Sequence, residues 1–328
     1  MPPEVASIQA RREELAKILA VLQAADEAKR HDGKDPKKSP SQRAKADLDA
    51  PVLPNKEGGY AANYTPMAGT DTAGDFIVHC DVVAGPNEHV ATLPAVDQIE
   101  ADFGRKPEAF LADAAHGTGE NLAGMEEREV TFYTPLESPS PEEGNPAKRG
   151  DPRQAVPEAD WTKLPRNRDK KLDKTCFVYD PEADCYYCPM GRSLPREQLK
   201  RDKGREPRTV YRCKHWEDCP LAGDCRDQKS QRGRSLSRDS YEPLREQMAQ
   251  RMKSAEAQAV YPKRMHTAET PFAYIKGVIG VRQFLLRGLE KVKLEWTWVC
   301  TAYNVVRLLS DVGKLRAALA SMAVQGAI

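Results

Sequence analysis

Long apolar runs are missing from this sequence, because no stretch approaches the roughly 18 uninterrupted apolar residues that a membrane-spanning helix needs. The first residues also lack the basic segment and following apolar segment of a secretory signal. Aromatic residues are only 7% of the chain, whereas 25 prolines and a mean hydropathy of -0.67 indicate a modest core with extensive loops. These features predict a soluble, cytoplasmic protein.

Cysteine is scarce except in one window, which holds six of the eight cysteines: Cys176, Cys185, Cys188, Cys213, Cys219 and Cys225. Because cytoplasmic thiols stay reduced, clustered cysteines are interpreted as metal ligands rather than as disulfides. Structural zinc sites use four ligands in tetrahedral geometry. The predicted Zn2+ ligands are Cys188, Cys213, Cys219 and Cys225, with Cys185 as the alternate. Reduced, unliganded cysteines are the competing interpretation.

Net charge is only +1, but its distribution is uneven. Between Arg196 and Arg264 the chain carries 18 Lys and Arg against 11 Asp and Glu. Such a local excess is typical of a surface that binds a polyanion. Three arginines in this stretch are predicted to contact the phosphates of such a polyanion: Arg232, Arg234 and Arg238. A solvated surface without a ligand is the alternative.

Hydrophobic periodicity predicts a mixed α/β fold. Extended runs at 58–67 and 76–83 flank a turn, and a helix at 89–103, a strand at 109–113, a helix at 119–128 and a strand at 130–134 follow. Helices at 267–286 and 290–309 close the chain. The predicted parts are an amphipathic helix with an exposed loop (1–56), an α/β part (57–134), a Pro-rich linker (135–172), a cysteine-rich and basic insertion (173–260) and C-terminal helices (261–328).

Two carboxylates stand where chemistry is often located. Asp113 follows a short buried strand, and ligand-binding groups gather at the carboxyl ends of strands in α/β sheets. Glu269 lies near the start of a predicted helix. Each also has an ordinary explanation, since Asp is a common turn and cap residue and a Glu complements the dipole of a helix N-terminus.

Several segments together resemble the DDE transposases of bacterial insertion sequences, in the branch with a cysteine-rich insertion before the catalytic glutamate. The resemblance covers nearly the whole chain in the family's order. The matching segments are 55–60, 111–113 with 117–122, 184–191, 219–221, 269–276 and 287–292.

The resemblance implies an RNase H-like sheet whose carboxylates hold two Mg2+ ions for cleavage and transfer of DNA strands. It assigns Asp113 and Glu269 to two of the three catalytic carboxylates, and Arg264 and Lys276 to phosphate contacts. Tyr261 completes an approximate Tyr-Arg-Glu-Lys signature. It further implies DNA as the partner, no membrane, a homodimer in an intact relative, and a bacterial, nucleoid-associated location.

The family's first aspartate lies on a strand that precedes the opening helix, and no segment here matches it. We therefore expect a truncated chain that lacks the first central strand of the sheet and does not cleave DNA. Two other functions stay open at this point. One is a catalytically dead remnant that binds zinc and DNA, and the other is a metal-dependent nuclease of RNase H-like fold without strand transfer.

Overall fold

The computed structural model describes residues 3–31, 35–38, 40–54, 58–136, 144–202, 206–227 and 230–325, with side chains from residue 7 to residue 313 within those ranges. The described helices are α1 (Pro3–His31), α2 (Thr92–Phe103), α3 (Gly119–Glu127), α4 (Ala222–Cys225), α5 (Glu242–Arg251), α6 (Ala255–Val260), α7 (Lys263–Tyr274) and α8 (Leu289–Gln325). The described strands are β1 (Arg43–Ala44), β2 (Asp47–Pro54), β3 (Tyr60–Ala62), β4 (Thr65–Thr70), β5 (Ile77–Val83), β6 (Ala109–Leu111), β7 (Thr131–Tyr133), β8 (Val178–Asp180), β9 (Cys185–Tyr187), β10 (Ser193–Lys200), β11 (Arg208–Arg212) and β12 (Ser235–Asp239).

The chain divides into two compact units. Unit 1 comprises Met1–Thr134 and Gln250–Ile328, and unit 2 comprises Pro135–Ala249. Helices and sheets alternate in unit 1, so the predicted mixed α/β class is confirmed. Among the described helices, none combines the length and apolar character that a bilayer crossing requires.

The described residues of unit 1 form three small sheets. The first has the order β1-β2-β3, the second is the antiparallel β4-β5 hairpin, and the third is the parallel pair β6-β7. Parallel neighbours require a crossover connection, which α3 provides. Gly124 on α3 permits close packing of α2 and α3, because a Cβ at Gly124 would lie 2.4 Å from Leu93 Cδ1.

The hairpin of unit 1 packs on the closing helix. Ile77 and Val82 of β5 share a buried cluster with Val292, Trp296 and Tyr303 of α8. These three α8 residues recur at helical spacing, so one face of the helix is apolar where it covers the hairpin. The cluster fixes the position of α7 as well, through Ile275 at its end.

Unit 2 is built around one antiparallel sheet with the order β12-β11-β10-β9-β8. Tyr179 of β8, Tyr186 of β9 and Tyr211 of β11 pack against one another, with ring centroids 5.1 to 5.9 Å apart. The hydroxyls of Tyr179 and Tyr211 both donate to the Asp184 carboxylate. The turn that carries Asp184 is therefore tied to the face of the sheet.

The structure differs from the predicted linker at 135–172. Residues 137–143 lie outside the described part, but from residue 144 the chain packs into unit 2, where Ala147, Leu164 and Leu172 are buried in the core. Prolines and charges suggested exposure, yet they are interspersed with apolar residues that cover the sheet. Burial of those apolar residues accounts for the difference.

Two other predictions also need correction. The predicted exposed loop within 31–56 contains β1 and β2, and Ala50 of β2 is 2% exposed. The predicted helix at 267–286 instead starts at Lys263 and, after one π-helical turn (Ile275–Ile279), ends at Gly280. Gly280 has a φ of +84°, a left-handed conformation that commonly terminates helices.

Candidate active site

Asp113 follows the end of β6 after one intervening residue, Ala112, close to where the sequence predicts it. Its side chain caps the 3-10 turn Ala114–His116, because Oδ1 accepts from the Ala115 amide at 3.1 Å. Its backbone carbonyl accepts from the Thr134 hydroxyl at 2.7 Å, which ties it to the end of β7. The side chain is 45% exposed, so the carboxylate is both positioned by the backbone and accessible to a ligand.

Arg264 and Tyr261 reach the same strand end from the helical region of α6 and α7. Arg264 Nη2 lies 3.2 Å from Asp113 Oδ2. Tyr261 donates its hydroxyl to the Ala112 carbonyl at 3.2 Å. Residues three apart share one side of a helical segment, which explains why both side chains arrive together. In this structure the guanidinium of Arg264 therefore forms an ion pair with the Asp113 carboxylate and does not point only into solvent.

A buried polar network supports the turn after Asp113, and of its members only Asn121 lies in a segment that the sequence singles out, 117–122. His116 Nδ1 lies 2.7 Å from Thr92 Oγ1, and Asn121 Nδ2 donates to that hydroxyl and to the His116 carbonyl. Burial lowers the pKa of His116, so the ring is neutral at pH 7. Its Nε2 lies 3.9 Å from Asp113 Oδ1. The network therefore joins α2 and α3 to the strand end.

Glu269 is not brought to Asp113. A cavity of about 900 Å3 adjoins Asp113, and α7 borders it with Lys263, Arg264, Thr267 and Ala268. An α-helix turns by about 100° per residue, which places Glu269 on the other, exposed side of α7. Across the described residues, no three His, Cys, Asp or Glu side chains are grouped so that they could hold a metal ion. Glu269 does not line this cavity, and metal binding by the two carboxylates together stays a prediction.

Lys276 lies apart from the Asp113 cavity, on a second groove of unit 1. This groove has a volume of about 570 Å3, and three exposed cations border it: Lys276, Arg282 and Arg287. No ion pair joins these three to a carboxylate in the described part of the chain. A groove with three accessible cations is suited to binding phosphates. Of these cations the sequence predicted only Lys276 as a phosphate-binding residue.

Asp47 and Asp49 border the same region but serve the fold. Asp47 Oδ2 accepts from the Gly288 amide at 3.1 Å, and Asp49 Oδ2 accepts from the Leu289 amide at 2.9 Å. Carboxylates at this position satisfy unpaired amides at the start of α8 and complement its dipole.

The predicted DNA-contacting arginines of unit 2 form contacts within that unit. Arg238 binds both oxygens of Glu246, at 2.6 and 3.0 Å, and stacks over the Tyr179 ring at 4.0 Å. Arg232 pairs with Glu197 at 2.6 Å but is 63% exposed.

Arg234 is partly buried. It donates to the carbonyls of Cys225 and Leu172, each at 3.2 Å. Phosphate contact by Arg234 and Arg238 stays a prediction that would require these bonds to open, whereas Arg232 has accessible surface.

The four predicted zinc ligands converge in unit 2. Cys188 and Cys213 are buried in one core cluster, and Cys219 and Cys225 pack against it. Burial is the main cause that raises the pKa of Cys225 to about 12, and the neighbouring thiols of Cys188, Cys213 and Cys219 raise it in the same direction. A charge on one of the four thiols would therefore affect the others. Cys185 is buried outside this cluster. The four thiols match zinc in donor type, but their present arrangement is not a metal-holding group.

One comparison with known proteins gives a match. A family model described as "Transposase DDE domain" matches residues 187–309, which is well under half of the chain. The matched segment includes Arg264, Glu269 and Lys276 and the four converging cysteines, whereas Asp113 lies outside it. No curated protein and no solved structure gives a significant match. The chain is therefore similar to DDE transposases over this segment, and the similarity supports a transposase role.

Proposed function

We propose that this protein is a DNA-binding chain of the DDE transposase class whose carboxylate site is incomplete. The observation that carries the proposal is the match to the transposase domain over 187–309, which includes Glu269, together with Asp113 at the end of a strand in an α/β unit. Bacterial origin and association with chromosomal DNA belong to the same proposal. So does a homodimer, which light scattering of the purified chain would test.

Asp113 and Glu269 are two of the three carboxylates that the proposed two-metal chemistry uses. Mg2+ prefers hard oxygen ligands, so Asp113 and Glu269 are suitable in chemical type. Arg264 nevertheless pairs with the Asp113 carboxylate, and Glu269 lies on a different face of α7. We therefore assign Asp113 and Glu269 as candidate ligands of an incomplete site and propose that this chain does not cut or join DNA.

DNA binding is proposed to depend on the groove that Lys276, Arg282 and Arg287 border. These cations are exposed, so they can meet phosphates without opening existing ion pairs. Neutralised phosphates release counterions, and affinity then falls with salt by a log-log slope of about -0.9 per neutralised phosphate. Binding through phosphates is also expected to be largely independent of base sequence.

A salt titration of duplex binding by fluorescence anisotropy tests this function. Replacing Lys276, Arg282 and Arg287 with Ala should weaken binding at low salt and reduce the slope by about 0.9 for each phosphate that is no longer neutralised. A matched control replaces three exposed cations of α1, namely Arg11, Arg12 and Lys17, with Ala. Equal effects of the two triple variants would contradict the groove assignment, and absence of binding by the unmodified chain would contradict the function.

The convergence of Cys188, Cys213, Cys219 and Cys225 favours a second candidate, a zinc- and DNA-binding protein without catalysis. The proposal rests on donor chemistry and on shared location. Metal analysis of protein purified under reducing conditions should give one zinc per chain, and Cys188→Ser should lower that content whereas Cys80→Ser in unit 1 should not. Zinc-free protein that retains a folded unit 2 would exclude the idea.

A further inference from the structure

The loop between the π-helical turn and α8, residues 281–288, presents one apolar side chain to solvent. Leu285 is 79% exposed, the highest value among the large apolar side chains that the structure describes. Single exposed leucines are ordinary on protein surfaces, so exposure alone does not indicate a role. What sets Leu285 apart is how firmly the loop around it is held and which charges surround it.

Contacts with α8 hold the loop at Leu285 itself. The preceding residue, Phe284, packs its ring edge-on against Trp296, with the ring centroids 6.2 Å apart. The carboxylate of Glu295 accepts from the Leu285 amide at 2.8 Å and from the Leu286 amide at 2.9 Å. The backbone of Leu285 is therefore fixed on the protein while its side chain stays in solvent.

The two ends of the loop are fixed as well. Val281 donates its amide to the Ile275 carbonyl at 3.1 Å, and Gly288 donates its amide to the Asp47 carboxylate at 3.1 Å. A loop that is already ordered loses little conformational freedom when a ligand binds to its tip. Leu285 is thus presented in a form that is prepared for contact.

Cations lie on both sides of Leu285. Arg282 and Arg287 are three and two residues away in the chain, so their Cα atoms lie within about 11 Å of its Cα at 3.8 Å per residue. Both arginines border the groove that also contains Lys276, and Leu286 lines the same groove. Leu285 therefore stands at the rim of the groove, between cations that are available for phosphates.

This combination of groups restricts the ligand. A purely apolar partner would leave the cations without a counter-charge, and a simple anion would leave the leucine in water. Duplex DNA satisfies both, because its phosphates are charged and the faces of its stacked bases are apolar. Proteins that bind DNA in this way insert an aliphatic side chain between two base pairs and partly unstack them.

We propose that Leu285 is a wedge that enters a base step of bound DNA, so that the groove prefers a duplex whose stacking is interrupted at one position. Unstacking costs free energy, and this cost is smallest at a mismatched base pair. The cations contribute affinity through phosphates that every duplex has, whereas Leu285 contributes the preference. The inference rests on the proposed DNA binding by the groove and adds a preference that phosphate contacts alone do not provide.

A comparison of two duplexes tests the wedge. The probes differ only in one central base, which gives one of them a T·T mismatch, so both have the same number of phosphates. Fluorescence anisotropy with the full chain should give about tenfold tighter binding to the mismatched duplex, where unstacking costs less. A 2-aminopurine placed beside the mismatch should become brighter on binding, because stacking quenches its fluorescence.

Two variants separate the leucine from the cations. Leu285→Ala should bind the two duplexes equally and keep the salt slope of the unmodified chain, because the cations are unchanged. Leu308→Ala is the matched control, since Leu308 is 54% exposed and lies about 28 Å along α8 from the start of that helix at 1.5 Å per residue. This control should keep the preference for the mismatched duplex.

The possible failures of the wedge and of the groove can be told apart. Equal affinity of the unmodified chain for the two duplexes overturns the wedge and leaves DNA binding by the groove intact. A preference that Leu285→Ala retains, or that Leu308→Ala loses as well, also overturns the wedge. Absence of binding to either duplex overturns the wedge and the proposed function together.

Discussion

Asp113 has two separable structural roles, and its substitutions should separate them. Its carboxylate caps the turn at Ala115 and pairs with Arg264. Asn can still accept from the Ala115 amide, so Asp113→Asn should lose only the ion pair. That pair joins side chains that are 45% and 26% exposed, and solvent-exposed pairs contribute about 0.2 to 1 kcal/mol. Asp113→Ala should lose the cap as well, which adds about 0.5 to 2 kcal/mol.

Native-state hydrogen exchange of the β6 and β7 amides measures these costs within unit 1. A double-mutant cycle with Arg264→Gln should give a coupling free energy of about 0.2 to 1 kcal/mol between Asp113 and Arg264. If Asp113→Asn and Asp113→Ala lower the opening free energy equally, the cap is not a distinct contribution. If the coupling is zero within error, the ion pair is not formed in solution.

Two further outcomes follow from particular positions. Gly191→Ala should destabilise unit 2 by more than about 2 kcal/mol in urea unfolding, because Gly191 has a φ of +70° and a Cβ there would lie 2.0 Å from the Arg153 carbonyl oxygen. The control is Gly223→Ala, whose added Cβ meets no atom within 4 Å. This control should change stability by less than about 0.5 kcal/mol. Burial lowers the pKa of His116 in the folded chain below its value in the unfolded chain. As pH falls below about 6.5, the unfolded chain therefore binds a proton at His116 more readily than the folded chain does, and unit 1 should lose stability. His116→Gln should flatten that pH dependence, and an unchanged profile would contradict the neutral, buried assignment.

Periodicity predicted the helices and strands best where one face packs on a core. In α8, Trp296, Cys300 and Tyr303 recur at helical spacing and are all buried, each 3% exposed. Trp298, two residues beyond Trp296, lies on the opposite side of the helix and is 67% exposed. Residue type alone therefore does not locate the core, whereas spacing does.

The Pro-rich segment shows why composition misled the linker prediction. Val156 is 2% exposed, its amide donates to the Pro189 carbonyl, and the Trp161 indole donates to the Val156 carbonyl. These partners lie far apart in the sequence or belong to no clear hydrophobic repeat, so local periodicity does not indicate the contacts between them. Tertiary contacts instead of local propensity determine the structure of this segment.

The candidate site could be predicted from the sequence only in part. Asp113 stands at the end of its strand as expected, because a short apolar run followed by Asp and small residues is a local pattern. Glu269 lies on α7, whereas Lys276 lies in the π-helical turn that follows it, so a regular α-helical repeat does not relate the two positions. A one-residue change in helical repeat cannot be read from spacing that assumes a regular α-helix.

The most direct test of an incomplete transposase site is one reaction that reports both DNA binding and strand cleavage. A labelled duplex is incubated with the full chain and Mg2+ or Mn2+, then resolved on native and denaturing gels beside Asp113→Asn, Glu269→Gln and the matched control Glu126→Gln. We predict that all four proteins shift the duplex and that none cuts it. Metal-dependent cutting by the unmodified chain that Asp113→Asn and Glu269→Gln abolish would contradict incompleteness, and failure to shift the duplex would contradict the assignment to a DNA-binding transposase class.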